Sequence, residues 1–92
     1  MTDAATQLRI VAFQEGDSWI AQCVDYDLCV QGADLAQVKR RMEALILLEA
    51  EYTKTHVGEA FAGIDPAPDY FASMFEGAEE SLAGEMNFRL AA

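Results

Sequence analysis

Basic residues are scarce in this 92-residue chain. Six Lys and Arg stand against sixteen Asp and Glu, a formal net charge of −10. That balance works against a general nucleic-acid binder, which must neutralise phosphates with Lys and Arg. Cysteine is scarcer still: Cys23 and Cys29 are too few for a disulfide scaffold, and the expectation is free thiols in a reducing cytoplasm. Long apolar runs are missing. The longest uncharged one, Ala44 to Leu48, covers five residues, where a membrane span needs about 20. The opening residues MTDAATQLRIVAF supply neither a basic nor an apolar signal-peptide region, so none is expected. None of the six glycines forms a GxGxxG or Walker pattern, and no serine has a Gly-x-Ser-x-Gly context.

What is present suits one small globular domain spanning residues 1–92. The apolar fraction is 52%, with three Tyr, five Phe and one Trp. At this size folding buries about 64% of the extended chain's surface, enough for one modest core. Composition therefore points to an acidic binding module or a self-associating domain rather than to an enzyme.

The pattern along the chain predicts an α+β fold with a core over residues 8–56. Leu8–Phe13 and Ser18–Val24 read as strands joined by a hairpin turn at Glu15-Gly16-Asp17. Asp25-Tyr26-Asp27 reads as a short connection and Leu28–Gln31 as a third strand, completing an antiparallel meander. Asp34, with Gln37 three residues on, has the form of a capping box. The stripe Leu35, Val38, Met42, Leu45, Leu48 or Glu49, Tyr52 then marks a long amphipathic helix, running to about Thr55 and stopping before Gly58. It should lie across one face of the sheet. A loop and a second helix of about ten residues, with Pro68 at its start, fill 57–80, and Ser81 to Glu85 reads as a loop. Alternation of Met86, Phe88 and Leu90 with Asn87 and Arg89 makes a half-buried terminal strand over 85–91. The expected order is β-β-β-α-α-β.

Several residue groups invite a chemical role. Asp25 and Asp27 are spaced to share one side of an extended chain, but a two-metal site needs three or four acids, and no further one can be placed. Cys23 and Cys29 lie near the ends of adjacent strands; they read as buried free thiols, with a redox or disulfide role as the alternative. His56 falls just past the last helical turn, where an imidazolium favours the dipole, and reads as a capping or surface residue. Lys39-Arg40-Arg41 fans around the helix as a solvated face, or as a contact to RNA or an acidic neighbour. Tyr70, Phe71 and Phe75 belong either to the core or to an oligomer interface, because exposed aromatics are costly in a monomer. With Met86 and Phe88 on the terminal strand, expected to leave a sheet edge open, they form the expected surface for a dimer or tetramer.

The stretch WIAQCVDYDLCVQGADL resembles the HicB-like antitoxin family. The matching residues are Trp19, Ala21, Gln22, Asp25, Tyr26, Asp27, Gln31, Gly32 and Leu35, and with the flanking elements the resemblance covers about residues 8–52. It implies a sheet similar to a truncated ribonuclease-H fold, with the terminal strand beside the first. It also implies binding and masking of a small basic ribonuclease toxin, while the residues themselves lead to the expectation of no catalytic, metal or cofactor site. Family members usually add a DNA-binding domain. Here the predicted elements end with the last strand, and residues 63–79 add a loop and helix that the family core lacks. No DNA binding by this chain alone and no membrane association are expected. A −10 domain complements a basic toxin, and Asp25, Tyr26 and Asp27, expected to protrude from the sheet edge, are the expected contact. A stand-alone homo-oligomer and a metal-dependent nuclease remnant stay open as alternatives.

Overall fold

Seven elements follow one another in the computed structural model, which describes residues 8–82 and 86–91. Strands β1 (Arg9–Glu15), β2 (Ser18–Cys23) and β3 (Cys29–Gly32) precede helices α1 (Leu35–Val57) and α2 (Asp69–Gly77). Strands β4 (Glu80–Leu82) and β5 (Asn87–Leu90) close the order. The fold is α+β, with the strands in one mixed sheet of order β3-β2-β1-β5-β4. The pairs β1–β2, β2–β3 and β4–β5 are antiparallel, and β1–β5 is parallel.

The meander and long helix follow their local signals. Asp34 caps α1 by accepting from Gln37 N–H at 2.8 Å, and Gln37 Oε1 reaches back to Ala33 N–H at 2.7 Å. At the other end Gly58, at φ 93°, takes the left-handed cap and donates to Lys54 O, a conformation costly for residues with a Cβ. Gly32 answers to close approach instead. A Cβ there would lie 2.9 Å from Gln37 Oε1 and from Val38 Cγ1, so α1 sits directly on the end of β3.

Each face of the sheet has its own helix. Leu8, Ile10, Ala21, Cys23 and Phe88 meet Val38, Met42, Ile46 and Phe61 on the α1 side. On the other side Val11 and Val24 lie under Phe75 of α2, with Phe13 and Phe71 beside them. Strand β1 is therefore buried on both faces through its middle, which is why its alternation is weak. Among the described residues no helix is long and apolar enough to cross a membrane.

Three expectations change. The segment from Ser81 is not all loop, since Glu80–Leu82 forms β4 through the register Glu80↔Leu90, Ser81↔Arg89 and Leu82↔Phe88. Three residues show no period, and only pairing with β5 makes them a strand; positions 83–85 lie outside the described residues. The terminal strand is interior, between β1 and β4, so it leaves no open edge. Finally, the buried line of α1 runs Val38, Met42, Ile46, Thr53, whereas Leu48 and Tyr52 of the expected stripe face outward at 66% and 57% exposure. A run of four-residue steps meets the sheet, and Leu48 and Tyr52 fall off that line.

Candidate partner-binding surface

The connection after β2 folds back on the molecule rather than standing clear of it. Cys23 N–H donates to Leu28 O at 2.9 Å and Leu28 N–H to Tyr26 O at 2.7 Å, closing the turn. The Asp25 carboxylate accepts from the Arg9 backbone N–H at 2.7 Å, from Nη2 at 2.9 Å and from Nε at 3.2 Å. These bonds hold the Arg9 guanidinium more firmly protonated, chiefly through the side-chain hydrogen bond. Tyr26 lies flat on Phe61, ring centroids 4.5 Å apart, and packs against the core. Asp27 alone of the three is exposed. It accepts from Gln22 Nε2 at 2.9 Å, and its own N–H donates to Asp65 O at 2.7 Å.

The expectation of a protruding Asp-Tyr-Asp loop is thus corrected. Asp25 is turned onto β1 because a backbone N–H and a guanidinium both point there. Tyr26 is turned inward because Phe61, at φ 65°, offers it a ring. Thr53 fixes that ring, its Oγ1 accepting from Phe61 N–H at 2.6 Å and donating to Glu49 O at 2.8 Å. Neither Phe61 nor Thr53 was singled out from sequence; the only signal was a polar Thr on the apolar side of the helix.

The expected oligomer surface is also divided. Phe75 and Phe88 are 2% and 1% exposed, held by α2 against β1 and by β4 beside β5, so neither presents a ring to a second copy. Met86 packs on the α1-side core and Phe71 is partly covered. Tyr70 stays 65% exposed, its edge against Phe71 at 5.1 Å.

The thiols do not face one another. Cys29 sits opposite Gln22 in register, which sets it on the sheet face away from Cys23. Cys23 is buried in the core and Cys29 is exposed at the sheet edge. Desolvation pushes both thiols up, and for Cys29 the negative charges of Asp27 and Glu15 add to it. The thiolate is the reactive form. Iodoacetamide near pH 7.5 should therefore modify Cys29 alone, and more slowly than a free peptide thiol; Cys23 should react only after unfolding. Mass spectrometry finding both modified at equal rates in the native protein would contradict this placement.

His56 stacks on Tyr52 at 4.1 Å, with Nδ1 2.9 Å from Tyr52 O, exposed at the end of α1. Among the described residues no three His, Cys, Asp or Glu side chains gather as metal ligands.

The few cations are largely turned onto the chain itself. Arg9 is taken by Asp25 and, at 3.8 Å, Glu76. Arg89 lies over the Phe75 ring at 4.3 Å and donates to Phe75 O. Arg41 donates to Gln31 O at 2.6 Å, and Lys39 Nζ stands 6.0 Å above Phe88. Exposed carboxylates at Asp17, Asp27, Asp65, Asp69, Glu79 and Glu80 dominate the remaining surface. An open cleft of about 490 Å³ lies between Trp19, Gln14 and Leu90 on one side and Ala78, Glu79 and Glu80 on the other. No protein-family model, no curated protein and no solved structure matches the chain.

Proposed function

We propose that this chain is a non-enzymatic, HicB-like antitoxin-type protein that binds and masks a small basic ribonuclease in the cytoplasm. Charge placement carries the reading. With sixteen acids against six bases, and four of those bases directed at the chain's own groups, the outward field is strongly anionic. A protein that grips RNA phosphates must be basic, so an anionic surface is its electrostatic complement. The position of β5 beside β1 lends support, because the resemblance implies that neighbour. A truncated ribonuclease-H-like sheet is the corresponding fold reading.

Within the Asp25-Tyr26-Asp27 segment the roles divide. Asp27, exposed and tied to Asp65 through its backbone, meets the partner; Asp25 and Tyr26 hold the turn in place. Long-range attraction of this kind acts mainly on association rate and fades as the screening length drops from about 10 Å at 0.1 M salt to about 3 Å at 1 M.

The test is co-purification of the tagged chain from its native cells at low salt. A small basic protein should be retained, should rebind more slowly as salt rises, and should cleave RNA once freed. Asp27→Asn should slow rebinding without changing the melting temperature. A retained protein that is acidic, or that leaves RNA intact, would remove the basis for the proposal.

A further inference from the structure

Among the described residues, nothing covers an apolar strip on the outer side of α1. Leu47, Leu48 and Tyr52 are 57%, 66% and 57% exposed, and the small Ala44 lies between them one turn earlier, also exposed. Spacings of three and four place Ala44, Leu47, Leu48 and Glu51 on one side of the helix, with Arg40 a turn before and Tyr52 at the flank. The buried line Val38, Met42, Ile46, Thr53 occupies the opposite side, so this strip is surplus to the fold.

Charge along the strip is ordered. Arg40 and Arg41 stand at its start and Glu51 toward its end. Two such helices laid parallel would set arginine on arginine and glutamate on glutamate. Laid antiparallel across a two-fold axis near residue 46, they bring Arg40 against the partner copy's Glu51. The same register sets Ala44 against Leu47 and Leu48 of the other copy, a small residue facing large ones at the point of closest approach. One slip of a turn toward the C-terminus would instead oppose Arg41 to Lys54. We infer that α1 is a self-complementary interface, and that two copies of this chain pair through antiparallel α1 helices about Ala44, Leu47 and Leu48. An isologous two-fold contact is the commonest closed arrangement, and this strip meets its requirement that one patch complement itself.

A contact made by one helix pair lies near the low end of stable interfaces, about 1,000 Å² in total, so the dimer is reversible. The free chain suffices for the experiment, which makes it independent of the ribonuclease partner. Sedimentation equilibrium over roughly 1 to 200 µM should show mass rising toward twice the 10.1 kDa of one chain. Leu48→Glu should stay monomeric across that range with unchanged circular dichroism, because the side chain is exposed and supports no core. Arg40→Glu and Glu51→Arg should each weaken association about tenfold, and the double variant should regain it. A wild-type chain that remains monomeric overturns the inference. So does a dimer that survives Leu48→Glu, which would move the contact to Tyr70 or a sheet edge. Failure of the double variant to recover would refute the antiparallel pairing.

Discussion

Phe61→Ala should destabilise the protein by about 3–5 kcal/mol, the cost of truncating a buried ring whose neighbours cannot fully close the gap. Phe61 is 3% exposed and joins three parts of the molecule. Its ring carries Tyr26 from the connection after β2, its N–H is held by Thr53 of α1, and its side chain packs in the core on the α1 side. In a domain of this length the loss should lower the melting temperature by at least about 12 °C. Tyr26→Ala removes the other half of the stack and should produce a smaller fall in the same direction. Thr53→Val leaves the buried Phe61 N–H without its acceptor and should cost about 1–3 kcal/mol although the volume hardly changes. Calorimetry returning Phe61→Ala within about 3 °C of wild type would show that this junction is not part of the core.

Phe88→Ala is the second large effect, again about 3–5 kcal/mol. The residue sits in β5 opposite Ile10 of β1 and Leu82 of β4, under α1, at 1% exposure. With total stabilities of about 5–15 kcal/mol typical, that loss brings the protein close to unfolding at 37 °C. The prediction separates a core role from an interface role. A core residue lowers the melting temperature without a compensating change in mass at low concentration. An interface residue would leave the monomer's melting unchanged and alter its association instead. Equilibrium urea denaturation at a few concentrations distinguishes them, and a wild-type midpoint for Phe88→Ala would return the residue to the surface.

Where the sequence spoke clearly, the signal was local. Strands β1 to β3 carry β-branched and aromatic runs bounded by turn residues, and α1 carries a cap at each end, so each is visible without its neighbours. Strand β4 was not legible because Glu-Ser-Leu has no period of its own and gains strand geometry only by pairing with β5. The side chosen by α1 was half legible: the apolar stripe marked a helix, but both Ile46 and Leu48 were available to it, and only the sheet decides between them. The same holds for the aromatics. Phe75 and Phe88 look like surface candidates until α2 and β4 are in place, since their partners are distant in sequence.

The candidate site shows the limit most plainly. Tyr26 between two carboxylates reads as an exposed anchor, and nothing nearby reveals that Phe61, thirty-five residues on, adopts a left-handed backbone and receives its ring. Asp25 likewise looks like half of an acidic pair, yet three hydrogen bonds from Arg9 make it a support for β1. Asp27 is the one residue of the three whose side chain the structure leaves exposed. Both thiols read as buried, but pairing with Gln22 sets Cys29 on the sheet face opposite Cys23, and its place in the edge strand leaves it exposed.

The central claim is that this anionic domain silences a basic ribonuclease by covering it. Titration of the chain into the co-purified basic protein, with cleavage of a fluorescent RNA as readout, tests that claim most directly. Cleavage should fall in proportion to added chain, reach background near one chain per ribonuclease, and reappear at high salt as association slows. Full cleavage in the presence of excess chain, with both proteins folded, would contradict the account.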